Sequence, residues 1–236
     1  MLRADGVAIA VVDAVSDADL ERIAAACADL PLVTAGSGIG LGLARHYRRT
    51  GRLQTPDRAA TMPAIDGAAA VVSGSCSVAT NAQVAHWLET HPGYRVDPLR
   101  LAAGEDIVAE TLAWATTQLP AGPVLVYATS APADVKAVQA KLGVEHAGAL
   151  VEDALARIAH GLVQAGVRKL VVAGGETSGA VVQALGITAL RIGPQIDPGV
   201  PWTLSTGDLP IALALKSGNF GATDFFGKAL RQIGRP

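Results

Sequence analysis

Three segments of this chain place glycines and hydroxyl residues directly after an apolar run. They are Ser73-Gly74-Ser75-Cys76-Ser77, Gly174-Gly175-Glu176-Thr177-Ser178-Gly179 and Lys216-Ser217-Gly218-Asn219-Phe220-Gly221. Each reads as a strand entering a small-residue turn and then a helix. Glycine lets a backbone approach a ligand closely and accepts positive φ. A helix start offers unpaired N–H groups and the positive end of a dipole, which suits an anion such as phosphate. In the first segment, N-capping by Ser75 or Ser77 accounts for one serine of three, so capping and phosphate contact stay open as readings. In the second, Thr177 and Ser178 add hydroxyls, and a plain capped turn needs fewer glycines than it has. No Gly-Lys-Ser/Thr closes it, so it is not a P-loop. Glu176 would repel a bare phosphate and is expected to cap the helix or meet a metal-bound water. In the third, Lys216 can act as a point charge on phosphate, while Phe220 can flank a base or belong to the core. Ser75, Gly174, Lys216 and Ser217 are expected as additional contacts. Three such turns on successive strands describe a polyanion cradle made mainly of backbone.

Other candidates carry less. Gly36-Ser37-Gly38-Ile39-Gly40 lacks the third glycine of a dinucleotide fingerprint, since residue 41 is Leu, and is expected to be a tight turn. The histidines His46, His86, His91, His146 and His160 show no ligand spacing, and Cys27 and Cys76 read as reduced thiols, so no metal site is expected. Gly193 to Trp202 is expected to be a rigid, proline-rich loop that walls the site or simply turns. Asp134 and Asp224 read as helix-start acids.

The elements that must hold these turns follow from the apolar pattern. Half of the 236 residues are hydrophobic and only 4% are aromatic, which suits close helix-on-sheet layers. Net charge is -2, which implies no general attraction to nucleic acid or anionic membrane. No membrane span or secretory leader is read, so the cytoplasm is the default compartment. Short apolar runs alternate with longer amphipathic ones. Strands are expected at Val7–Val12, Pro31–Thr34, Ala68–Val72, Tyr94–Leu99, Val124–Tyr127, Lys169–Val172, Ala189–Ile192 and Ile211–Leu215. Helices are expected at Ser16–Ala28, Ser77–Leu88, Glu105–Thr117, Ala147–Gln164, Thr177–Leu185 and Thr223–Ile233, with a basic helical end at Arg45–Arg49. This predicts an α/β fold: a largely parallel sheet with helices on both faces in Rossmann-like layers, plus a small N-terminal βα remnant. The polar stretch Gly51–Gly67, with Pro56 and Pro63, is the expected linker, dividing the chain into residues 1–62 and 63–236.

With Arg191-Ile192-Gly193-Pro194-Gln195-Ile196-Asp197-Pro198-Gly199-Val200-Pro201-Trp202 added, the three turns resemble the four-carbon acid sugar kinase family, closest to its 3-oxo-tetronate 4-kinase members. The motifs occur in order over most of the chain. The resemblance implies a nucleotide-binding C-terminal domain that works with an N-terminal sugar-acid domain. It implies transfer of the ATP γ-phosphoryl group to the 4-hydroxyl of a four-carbon acid sugar, with Mg²⁺ bridging phosphates. It implies nucleotide contacts at Ser73, at Gly175, Glu176, Thr177 and Ser178, and at Gly218. The family's opening Asp-Asp motif is not found here, so the chain is expected to be a C-terminal portion whose catalytic base is unknown and whose turnover alone is weak or absent. A non-catalytic nucleotide-sensing module and a phosphosugar-binding enzyme are the rival readings. Val7–Arg49 is free to pair with another copy, leaving a homo-oligomer open.

Overall fold

A computed structural model describes Gly6, Ile9 and residues 11–54 and 60–233. The chain divides into two compact units, residues 1–59 and 60–236.

In the first unit, α1 (Asp17–Cys27) pairs with α2 (Ile39–Arg49). Ser16 caps α1 by accepting from the Asp19 N–H at 3.3 Å. The glycine-rich segment is only partly a turn, because Gly40 and Gly42 lie inside α2. Gly42 meets the backbone of Leu20, where any Cβ would collide with the Leu20 carbonyl, so this glycine sets the helix–helix approach. Arg45 bonds Glu21 at 2.8 Å and Tyr47 Oη donates to Ala28 O at 3.0 Å across the pair. No strand occurs at Pro31–Thr34, where one was expected; Leu32 is 79% exposed, and a lone apolar run with no neighbour to pair its backbone does not become a strand. Of the expected strand Val7–Val12, Val7, Ala8 and Ala10 lie outside the described residues, while Ile9, Val11 and Val12 are exposed and unstranded. Residues 55–59 of the expected linker also lie outside them.

The second unit is an α/β layer structure. Its elements are β1 (Ala68–Ser73), α3 (Val78–Leu88), β2 (Gly93–Arg95), α4 (Pro98–Ala102), α5 (Ile107–Gln118), β3 (Val124–Tyr127), α6 (Pro132–Leu142) and α7 (Val144–Gln164). Then follow β4 (Val167–Ala173), α8 (Gly175–Ala184), β5 (Leu190–Asp197), β6 (Val200–Ser205), β7 (Ala212–Lys216) and α9 (Phe225–Ile233). The seven strands form one sheet in the order β2-β3-β1-β4-β7-β6-β5. The first five are mutually parallel, and β6 and β5 add antiparallel.

Both faces of the parallel part are covered, which is why its strands read as unbroken apolar runs. Side chains still alternate. Ala70, Val72, Val124, Val126, Leu170 and Val172 pack on one face with α5, α7 and α8. Val71, Leu125, Val171 and Ala173 pack on the other with Trp87, Phe225 and Phe226 of α3 and α9.

The expected loop Gly193–Trp202 is instead most of an antiparallel hairpin, with Gly199 at φ +79° in its turn. Its prolines are tolerated by position. Pro194 sits at a register shift on the outermost strand, and Pro201 precedes the stretch of β6 that pairs with β7. The short helix α4 occupies Pro98 and Leu99, which were expected to end a strand. The span of helix α6 was not among the expected elements, but Asp134, read as a helix-start acid, does stand in its first turn, which Pro132 opens.

Candidate functional site

The three small-residue turns leave β1, β4 and β7, which are adjacent and parallel, so all three emerge at the same carboxyl edge of the sheet. Ligands bind there in open α/β sheets. Backbone bonds extend the ladder beyond the strand ends: Gly74 N–H and Ser75 N–H donate to Ala173 O, and Gly174 N–H donates to Lys216 O.

The turn after β4 is held by contact with the turn after β1. Gly174 has φ +134°, and a Cβ there would lie 2.7 Å from Thr177 Oγ1 and 3.2 Å from Ser75 N. A Cβ on Gly74 would strike the same Thr177 hydroxyl. Thr177 is buried, and its hydroxyl donates to Glu152 Oε1 of α7 at 3.1 Å. With Gly174 at the cap, the first α8 N–H that finds a backbone acceptor is that of Ser178, bonding Gly174 O at 2.9 Å. Gly175 and Glu176 are exposed, and a Cβ on Gly175 would meet open space.

These turns border a cleft of about 650 Å³. Ser75, Cys76, Gly174, Gly175, Glu176 and Thr177 form its sheet-edge rim. Opposite them Leu99 of α4, Val135 and Val138 of α6, and Ala147 and Val151 of α7 make an apolar wall. Its charged lining residues are Asp97, Asp134, Glu152, Glu176 and Arg95, four acids to one base. The rim therefore favours an anion through backbone dipoles, while the side chains favour a cation arriving with it.

Glu152 stands between rim and wall. Burial pushes its carboxyl up, the Thr177 hydroxyl opposes this, and the nearby Glu176 charge adds to it. Its Oε2 is buried without a hydrogen-bond partner among the described residues. The Glu176 side chain makes no hydrogen bond among the described residues, so the expected cap is not formed. Ser178 is in α8, but its hydroxyl is buried and unpartnered and it does not line the cleft.

Ser73 is fully buried behind the rim, where its hydroxyl pairs with that of Thr129 at 2.7 Å. The turn after β7 also lies behind it. Gly218 is packed against Ser75, a Cβ there falling 2.5 Å from Ser75 Oγ, and Gly218 O accepts from Ser77 Oγ at 2.6 Å and Thr80 Oγ1 at 2.8 Å. Lys216 is buried and donates to Thr80 Oγ1 at 2.9 Å. Ser217 is exposed outside the cleft. Phe220 packs at Gly199 of the hairpin turn and does not line the cleft. So the structure unites the first two turns at one cavity and sets the third beneath them.

Sequence reading missed Glu152, Asp97, Arg95 and the wall residues Val135, Val138 and Val151. Only the apolar spacing of Ala147, Val151 and Leu155 along α7 signalled a packed helix face, and nothing local marked Glu152. Among the described residues no group of three or more His, Cys, Asp or Glu could hold a metal, and no helix is long and apolar enough to cross a membrane.

Residues 70–226 match the family described as the nucleotide-binding C-terminal domain. The chain is 62% identical over 232 residues to a 3-oxo-tetronate kinase of Burkholderia multivorans, covering 98% of this chain and 54% of that protein. It spans about half the length of the curated relatives it matches. The crystal structure of the Haemophilus influenzae protein HI1011 superimposes with a TM-score of 0.77 at 42% identity, over 98% of this chain and 55% of that one. A Bordetella bronchiseptica structure with bound citrate, described as a domain-swapped dimer, gives a TM-score of 0.56 at 26% identity over 95% of this chain and 51% of its own.

Proposed function

The chain belongs to the nucleotide-binding C-terminal domain family, and from that premise we propose that its cleft binds ATP for a kinase of four-carbon acid sugars. One observation carries the site: two glycine turns, after adjacent parallel strands, open onto a single cavity whose opposite wall is apolar. The N–H groups of Gly175, Glu176 and Thr177 receive the phosphates, and Val135, Val138 and Val151 receive the base. Ser73 and Gly218 brace this rim from behind, and Ser75 contacts the phosphates from β1. Domains at 1–62 and 63–236 remain the division we propose, the first belonging to the sugar-acid part.

The acidic lining suits a divalent cation that travels with the nucleotide. Mg²⁺ is commonly held by one or two carboxylates together with substrate phosphates and waters. Glu152 and Glu176 are the residues that would hold it, and when bound it neutralises charge developing on the transferred phosphoryl group. The acceptor in this reading is the 4-hydroxyl of a four-carbon acid sugar such as 3-oxo-tetronate, as the name of the Burkholderia relative supports. This chain covers 54% of that relative, so nucleotide binding with little turnover is the expectation for the chain alone. The citrate-bound Bordetella dimer supports pairing of copies, and a cytoplasmic setting fits a sugar-acid kinase.

Calorimetric titration with ATP and Mg²⁺ tests the site. We expect saturable heat and a 1:1 complex, with adenosine competing. No heat at millimolar nucleotide would remove the proposal.

A further inference from the structure

Lys216 ends β7, and its side chain is only 1% exposed. Its ammonium donates to Thr80 Oγ1, to Gly218 O at 3.0 Å and to Ser217 O at 3.2 Å. All three acceptors are neutral. The groups packed around it are equally uncharged: α3 presents Thr80 and Ser77, and β4 presents Ala173, its register partner. No carboxylate pairs with it among the described residues. A buried, unpaired ammonium is costly, and burial alone pushes Lys216 down to about 8.

Hydrogen-bond satisfaction does not explain that cost. Gly218 O already accepts from Ser77 and Thr80, so removing the ammonium would orphan no acceptor there. What the lysine contributes is positive charge, near a cleft whose charged side chains are mostly acidic. Contacts link the two: Gly218, whose carbonyl accepts from the ammonium, packs against Ser77 and against Ser75, which lines the cleft.

We propose that Lys216 is the buried counter-charge for the phosphates of the bound nucleotide, acting through the Gly218–Ser75–Ser77 contacts without touching them, so that nucleotide binding draws a proton onto the protein. The inference rests on the nucleotide reading of the cleft. A polyanion placed in the cleft favours the charged lysine and raises its proton affinity. With its ammonium pushed down to about 8, Lys216 is partly neutral in the free protein at pH 8, so binding takes up a fraction of a proton per nucleotide.

Calorimetric titration of ATP–Mg²⁺ at pH 8, in two buffers of very different ionisation enthalpy, reads that proton directly. We expect uptake by the native chain and none by Lys216→Met, with ATP affinity of the variant down about tenfold and adenosine affinity unchanged. Equal proton uptake by both proteins, or equal loss for adenosine and ATP, overturns the proposal. The native chain alone supplies a second check: ATP affinity should fall as pH rises through about 8 while adenosine affinity stays level, and parallel profiles refute it. If neither ligand binds, the nucleotide reading fails and takes this inference with it. If both bind without proton uptake, only the role of Lys216 fails.

Discussion

The turns after β4 and β7 are near twins in sequence, each an apolar strand running into glycines and a hydroxyl before a helix. The structure gives them opposite surroundings. Gly175 and Glu176 stand exposed at a cavity, with open space where a Cβ on Gly175 would go. The turn after β7 is tied down from several sides. Gln83 Nε2 lies 3.0 Å from the carbonyls of Phe220, Gly221 and Ala222, and Asp197 accepts from Ala222 N–H at 2.9 Å while pairing with Lys228. A small-residue turn is therefore a place where backbones come close, and the neighbour decides whether the close partner is a ligand or the protein itself.

The comparison breaks most visibly at the two adjacent glycines of the β4 turn. Gly174→Ala must put a Cβ at φ +134° against Thr177 Oγ1. We expect a loss of about 2–3 kcal/mol in urea unfolding, with nucleotide binding gone. Gly175→Ala has room, so stability should stay within about 0.5 kcal/mol while nucleotide affinity falls. Similar destabilisation by both would deny that Gly175 faces a ligand.

Asp197→Ala should release the β7 turn. Burial would raise the Asp197 carboxyl, but the Lys228 ammonium and the Ala222 N–H outweigh it and hold it below the usual carboxylate range. Lys228 is partly exposed, so solvent screening reduces the expected loss to about 2 kcal/mol. Because the folded value is lowered, this stabilisation is present above the unfolded pKa of about 4 and fades as pH falls through the folded value. The gap between native and variant unfolding midpoints should close in acid. A gap that widened there would contradict the assigned ion pair.

The smallest effect is expected at the rim. Glu152→Gln keeps an acceptor for Thr177 and removes a charge whose folded pKa is raised. A raised value favours folding below the unfolded pKa, and that contribution is lost as pH rises through the folded one. The variant should therefore be about 0.5–1 kcal/mol more stable near pH 7 and indistinguishable near pH 4. Thermal unfolding at both pH values checks this; a destabilised variant at pH 7 would show the charge to be compensated.

Much of the framework was legible because its signals are local. Continuous apolar runs marked the parallel strands, and Ser16 and Ser77 cap α1 and α3 through their own side chains. The missed elements depended on remote partners. Pro194 and Pro201 concealed β6 and the part of β5 beyond the expected Ala189–Ile192, and their positions at the sheet edge tolerate them. The helix α6 has no buried residue, so its weak apolar face left little pattern to find. Ser73 shows the same limit at the site, since its hydroxyl partner Thr129, just past the end of β3, is 56 positions away.

The sequence by itself determined that three glycine-hydroxyl turns follow apolar strands, because strand periodicity and turn chemistry act over a few residues. Only the tertiary structure decided which turns share a cavity. Strand order put β1, β4 and β7 side by side, and α6 and α7 supplied the wall that makes a cleft of two turns. It also sent Lys216 near the cleft, where burial without a carboxylate changes what its charge can do.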